Sequence, residues 1–196
     1  MYPLPNYARR VEYLESTGTQ YVDTGLTITS GFVAFSFEAV GTNTSAAFLG
    51  QQITNPRLLG WMNSSSNAYV DLGASSARVT FDAMPGMVLA KTAFSANTGS
   101  AYFPFYLFTS RNASGPRHPY GKVRCRYCQF WDAQGVLVRS FVPCRVGSVG
   151  YLFDEVTGAF FGNSGTGNFV LGTDIAGGGG STPPLRGLWP MGGSRQ

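Results

Sequence analysis

Charge is scarce in this chain. Only 12% of residues are Asp, Glu, Lys or Arg, about half the ~25% of an ordinary soluble domain. A surface so poor in charge is either covered by Ser, Thr and Asn or buried against other subunits. The acidic side chains are scattered, and their only close pairs are Glu12 with Glu15 and Asp154 with Glu155. Adjacent residues on a strand point apart, so nothing in the spacing offers the facing carboxylates of a glycoside hydrolase. The single histidine, His118, stands between Arg117 and Pro119 without an identifiable nucleophile and reads as a loop residue. The expectation is a protein that is not an enzyme and carries no cofactor.

Cysteine is equally sparse. Cys125, Cys128 and Cys144 make an odd count, and without a secretory leader they are expected as reduced thiols. The Cys125–Cys128 spacing is a CxxC, but it falls inside a strand pattern, where residues three apart point to opposite faces. With no second pair beside it, small buried residues are expected rather than a zinc or redox site. Folding the following hairpin about Gln134 places Cys128 near Ser140. No loop gathers enough acids for calcium, and Gly162–Gly167 lacks the Lys of a phosphate loop; the expected metal content is none.

No apolar run reaches the length of a membrane span, and Met1–Asn6 lacks the basic and apolar regions of a signal peptide. The reading is a soluble protein made in the host cytoplasm, with any outside role reached through assembly into a particle. The N-x-S/T sites at Asn43, Asn63 and Asn112 then carry no weight. No segment shows a capped amphipathic helical stripe. Fold class: all-β.

What the chain does have is aromatics (14%), 26 glycines and repeated hairpin patterns. Strands are expected at Glu12–Ser16, Thr19–Asp23, Phe32–Ala39, Ala46–Gly50, Leu58–Met62, Ala68–Leu72, Arg78–Phe81, Val88–Phe94 and Tyr102–Thr109. In Phe32–Ala39, Val33, Phe35, Phe37 and Ala39 share one face, the alternation of a half-buried strand. Tyr102–Phe108 is apolar on both faces, so a central or interface strand is expected, with Pro104 favouring an edge or bulge. Phe130–Arg145 and Gly150–Phe161 each read strand, turn, strand, with Gly135 and Gly158 placed to supply the positive φ of a tight turn. Asp154 is placed to bond the backbone of its own turn.

Two distant motifs carry a resemblance. "EYLESTGTQYVDTG" over residues 12–25 and "FWD..G.LVRSFVPCR…G.LFDEVTGAFFGNSGTGNF" over 130–169 are similar to the laminin-G-like, concanavalin A-like domains of phage structural proteins. Together they bracket residues 11–172; Thr27–Gly121 matches by pattern only. The resemblance implies an antiparallel jelly-roll β-sandwich in a virion part such as a tail fibre or a capsid decoration, and it implies no catalytic residues. The expected organisation is an N-terminal arm (1–10), a jelly-roll domain (11–172) and a Gly/Pro-rich C-terminal tail (173–196).

Candidate binding residues follow. The arm offers Tyr2, Leu4 and Tyr7 as anchors. The tail runs through Gly177–Gly180, Ser181 and Pro183-Pro184, flexible and then stiffer, to Leu185, Leu188, Trp189 and Met191. That segment is too short to build a core, so a partner groove or a neighbouring subunit is expected to cover it. Arg124 and Arg126 would project from one face of one strand in a stretch rich in arginine. They read either as charges protecting a solvated or edge strand or as a contact for an acidic partner protein; no recognised nucleic-acid fold accompanies them. For a glycan, Trp61, Asn63, Asn67 and Tyr69 combine a stacking ring with hydroxyl-bonding side chains, against a core role for Trp61. The first functional expectation is a non-enzymatic, multi-copy virion component attached to other capsid or tail proteins through its termini. The alternative is a carbohydrate-binding module of a receptor-binding protein, with a cell-surface glycan as partner.

Overall fold

A computed structural model describes residues 1–41, 45–51, 58–62, 67–73, 78–81, 86–95, 103–117 and 119–176. Seventeen strands and no helix occur among them. Three short strands come first, β1 (Ala8–Arg10), β2 (Leu14–Glu15) and β3 (Val22–Asp23), then the long β4 (Ser30–Ala39). β5 (Ala46–Gln51), β6 (Leu58–Met62), β7 (Ala68–Leu72) and β8 (Arg78–Phe81) pair in succession, and β9 (Met87–Ser95) returns to β4. Three short strands follow, β10 (Tyr106–Leu107), β11 (Arg111–Asn112) and β12 (Gly115–Pro116). The last five are β13 (Val123–Trp131), β14 (Leu137–Val146), β15 (Val149–Asp154), β16 (Ala159–Phe161) and β17 (Val170–Leu171).

These strands make two mainly antiparallel sheets, the arrangement of a β-sandwich. In the first, β9, β4, β13, β14, β15 and β16 lie side by side, while β1 runs along β14, and β2 lies between β13 and β17. In the second, β5 to β8 form the body and β10 joins β5 to β3. Between the sheets sits one apolar core, including Val33, Phe35 and Phe37 from β4, Phe130 from β13, Phe48 from β5 and Leu58 and Met62 from β6. The alternation read in Phe32–Ala39 is real: Val33, Phe35 and Phe37 are wholly buried.

Both predicted turns form. Asp132 Oδ1 accepts from the amides of Gln134 and Val136 at 3.0 and 2.8 Å, and Gly135 takes φ +81°. Asp154 Oδ1 accepts from Val156 N–H at 3.1 Å, and Gly158 takes φ +75°. Positive φ costs a residue with a Cβ, which is why glycine stands at each.

Two β-bulges correct the register read from sequence. Between β13 and β4 the pairing passes from Cys125↔Phe37 to Tyr127↔Ser36, which leaves Arg126 as the extra residue. A bulge resets the alternation, so Cys125 and Cys128 do not point to opposite faces: both are fully buried in the same inter-sheet core. Between β13 and β14, Phe130 pairs with Arg139 but Trp131 with Leu137, so Val138 is extra and Cys128 faces Phe141 rather than Ser140. The strand expected at Tyr102–Thr109 shrinks to Tyr106–Leu107. Phe108 adopts φ +70° and its N–H bonds Phe48 O at 2.7 Å, which ends the extended run. Tyr102 of that expectation lies outside the described residues.

The domain boundaries move as well. Residues 8–10 are a strand of the first sheet, and Val11 bridges Asp174 while Ile175 N–H bonds Arg10 O at 2.9 Å. The folded unit therefore begins before residue 11 and continues past 172. The rest of the expected tail, residues 177–196, lies outside the described residues.

All three cysteines are free and buried, with Cys144 in a separate cluster with Val142 and Phe153 on the outer face of the first sheet. Burial pushes the Cys125 and Cys128 thiols far up and Cys144 up to about 12, against an ordinary value of 9.0. The phenols of Tyr106, Tyr120 and Tyr127 are raised by the same cause. A raised folded value leaves the folded state holding protons that the unfolded chain has released, so stability is complete below about pH 9 and falls above it. We predict a urea midpoint that declines steadily from pH 8.5 to 11. Thiol reagents should react slowly with the native protein and should count three thiols in denaturant without reductant. A flat midpoint, or a count of one, would contradict the buried, unbridged arrangement.

Candidate functional site

Of the glycan candidates, Trp61 and Tyr69 lie on the outer face of the second sheet. Trp61 and Tyr69 are cross-strand partners on β6 and β7. Since Leu58, Gly60 and Met62 turn inward, Leu59 and Trp61 turn outward, forming a small cluster with Ala47 and Tyr69. Trp61 thus belongs neither to the inter-sheet core nor to an open platform: it is 9% exposed, with the Arg117 guanidinium 4.6 Å from its ring centroid. Arg78 lies 3.9 Å over Tyr69 and is held there by Asp71 at 2.7 Å. Asn67 is exposed nearby in sequence, and Asn63 falls outside the described residues. The structure brings together the two rings of the candidate set, each with a cation over it.

Arg124 and Arg126 are both occupied within the chain. Arg124 bonds Glu15 at 2.7 Å and Glu38 at 3.2 Å, and Arg126 bonds Glu38 at 2.8 Å. Tyr13 lies under both guanidiniums, 4.5 and 5.6 Å away. Glu15 and Glu38 sit on β2 and β4, the two strands flanking β13, so register alone brings the acids to the bases. The two arginines thus form an internal bracket joining three strands.

The arm lies against its own domain. Leu4 packs on the outer-face cluster of Val142, Cys144 and Phe153, and Tyr7 stacks on Phe160 with centroids 6.2 Å apart. Tyr2 N–H bonds Glu155 O at 2.6 Å. Leu4 is therefore an intramolecular anchor, whereas Tyr2 and Tyr7 keep 59% and 68% of their surface exposed. The tail candidates Leu185, Leu188, Trp189 and Met191 are outside the described residues.

Sequence reasoning missed two features. One is a groove of about 740 Å³ across the outer face of the first sheet. Tyr127, Gln129 and Trp131 of β13 line it with Leu137 and Val142 of β14, and Ile175 is at its wall. These are the outward residues of strands whose inward residues the sequence marks clearly. Lys91, at one side, sits 4.7 Å from the Trp131 ring centroid. Glu12 also lines the groove, exposed, and its carboxylate has no ion-pair or hydrogen-bond partner among the described residues.

The other is a buried polar knot. Asp154 and Glu155, expected to point apart, converge on Ser140: Ser140 N–H donates to Asp154 Oδ1 at 2.8 Å and Ser140 Oγ to Glu155 Oε2 at 3.0 Å. Glu155 lies just beyond the strand end, in the turn, where the alternation no longer applies. Asp154 also accepts from Thr157 Oγ1 at 2.6 Å, and Arg10 reaches Glu155 at 3.5 Å. Each bond ties one strand to another or closes the turn, so the knot is structural.

A scan against protein-family models, a search of curated proteins and a search of solved structures each find no match to this chain.

Asp154 tests the knot. Asp154→Ala removes a wholly buried carboxylate and strands its donors, at a cost of about 3–5 kcal/mol. Asp154→Asn keeps one acceptor oxygen and should cost clearly less. Equal losses in denaturant unfolding would mean that the site is felt as volume rather than as hydrogen bonds.

Proposed function

We propose that this chain is a non-enzymatic structural subunit of a phage particle, a jelly-roll decoration or tail-fibre component present in many copies and attached through its termini. The observation that carries the reading is the side-by-side placement of the two ends. Val11 bridges Asp174, Glu12 N–H bonds Thr173 O at 3.0 Å, and Arg145 grips Asp174 with two bonds of 2.7 and 2.6 Å. Residue 11 and the last described residues therefore lie side by side next to the groove, and the arm before residue 8 runs back over the same sheet with Tyr2 and Tyr7 exposed, so one contact region on a neighbour can engage both ends. The resemblance of the two quoted motifs to phage laminin-G-like domains supports the setting.

The disposition of the acids supports a non-catalytic role. Among the described residues, Glu15, Glu38, Asp71, Asp154, Glu155 and Asp174 are each bonded to an arginine, a serine or a turn amide, and Asp23 and Asp132 bond backbone amides. Among the described acids Glu12 alone has no such partner, and hydrolysis of a glycoside needs two acids across the bond.

A glycan-binding module is the second reading, favoured by the Trp61–Tyr69 pair on an outer face. A sugar stacking there would have to displace Arg117 and Arg78. Two measurements separate the readings. Removal of residues 177–196 together with residues 1–7 should abolish co-purification with particles, and a glycan array should show no saturable binding. Full incorporation of the doubly trimmed chain would overturn terminal attachment. Saturable sugar binding lost in Trp61→Ala would establish the second reading.

A further inference from the structure

The groove on the outer face of the first sheet has two ends of different character. It follows β13 from Trp131 to Tyr127, ~13 Å at the rise of a strand. Its volume of about 740 Å³ falls in the ~300–1,000 Å³ range of small-molecule sites. Gln129 stands between those two rings, and its cross-strand partner Ala34 carries only a methyl group, which gives the groove depth. At the Trp131 end, the exposed Lys91 holds its ammonium 4.8 and 4.7 Å from the ring centroids of Phe32 and Trp131. It has no acid partner among the described residues. At the Tyr127 end the charges offset one another. Leu14 pairs with Cys125, which brings Glu12, two residues earlier, to the Arg126–Tyr127 end of β13. Arg126 is held by Glu38 at 2.8 Å and Arg10 by Glu155 at 3.5 Å, and beside them the Glu12 carboxylate stands free.

We propose that the groove binds a straight-chain carboxylate, its head on Lys91 and its hydrocarbon chain along β13 toward Val142 and Ile175. The charges select this class. An anionic head finds at Lys91 a cation that no acid of the chain engages, whereas at the other end Glu12 repels it. A cationic head seeking Glu12 would have to share that end with Arg10 and Arg126. A neutral chain would leave Lys91 unused. Between the ends the walls are Trp131, Leu137 and Val142, which offer a chain apolar contact and no further charge. The chain then supplies affinity, and the ammonium supplies orientation and choice between ligands. The groove lies on the sheet opposite the Trp61–Tyr69 pair and the inference needs no particle, so its failure leaves the proposed function standing.

The test is calorimetric titration of the full chain with decanoate, decanol and decylamine, each below its micelle concentration. NMR of the tryptophan indoles, with Trp131→Phe to assign the signal, locates the ligand in the unaltered fold. Decanoate should bind one-to-one and saturably, and the Trp131 indole N–H should shift while that of Trp61 stays. Decanol should bind more weakly, and decylamine most weakly of the three. Lys91→Gln should weaken decanoate binding at least about tenfold, the worth of a charge-assisted contact, and leave decanol binding unchanged. Lys91→Arg should keep decanoate binding. Ala90→Trp, at an exposed β9 position lining the groove, should abolish binding of both ligands with the melting temperature unchanged. Equal affinity for all three ligands would mean indifferent apolar partition and would overturn the proposal. So would the absence of binding, uptake without saturation, decanoate affinity that survives Lys91→Gln, or an indole shift at Trp61 in place of Trp131.

Discussion

Phe35 and Phe37 on β4 meet Phe48 on β5 across the sandwich, with ring centroids 5.8 and 5.3 Å apart, and this contact sets how the two sheets sit on one another. Phe108 and Phe130 extend the layer through Phe37 and Phe105, at 6.2 and 5.2 Å. Each buried phenylalanine contributes roughly 1.5–3 kcal/mol, and favourable ring pairs add about 0.5–1.5. The layer also dictates its neighbours. A Cβ at Gly60 would come within 2.6 Å of the Phe48 ring, so β6 has to carry glycine where it passes over that ring. With so few charges to place, the chain puts its stability into this layer.

The two sequence motifs that stand out at opposite ends of the chain are one object in space. Ser164 N–H bonds Tyr21 O at 2.8 Å, Thr166 N–H bonds Thr19 O at 3.0 Å, and Asn163 Oδ1 accepts from Tyr21 N–H at 3.2 Å. Gln20, buried, donates to Asn168 O at 3.1 Å and accepts from Thr17 N–H at 2.8 Å. The glycine-rich run after β16 is thus a shaped loop that satisfies the backbone of the segment before β3. Buried polar groups must be paired, and here the pairing closes the sandwich by joining its first and last stretches.

Most strands were legible because alternation is a local property. Phe32–Ala39, Leu58–Met62, Ala68–Leu72 and Arg78–Phe81 appear close to their expected bounds. The turns at Gly135 and Gly158 were legible for the same reason. What could not be read was the extra residue of a bulge, since Arg126 and Val138 look like ordinary strand residues until their partners are known. One such residue moved Cys128 into the face shared with Cys125. Partner choice was equally hidden. Nothing in the spacing of Glu15, Glu38 and Arg124 tells that two strands far apart in sequence flank β13. The two rings among the glycan candidates lie beside each other on neighbouring strands, but the arginines above them come from positions that no local pattern selects.

That hidden pairing changes what the arginine content means. Read linearly, residues 111–145 are a basic stretch, either protecting a solvated or edge strand or contacting an acidic partner. In the fold, Arg10, Arg78, Arg124, Arg126, Arg139 and Arg145 all face acids of their own chain. The more exposed of these pairs, Arg78–Asp71 and Arg145–Asp174, add little each, yet all of them consume charges that could have steered a partner over long range. Association must then draw its free energy from apolar area, and its specificity from the few polar groups left unpaired beside that area. The outer face of the first sheet meets both conditions at once. It combines Trp131, Leu137 and Val142 with an unpartnered Glu12 beside the bridge between Val11 and Asp174, and Arg10, Lys91 and Arg126 line it as well. The low charge that first marks the sequence and the apolar character of the proposed contact surface therefore have the same origin: the fold uses most of its arginines and acids internally.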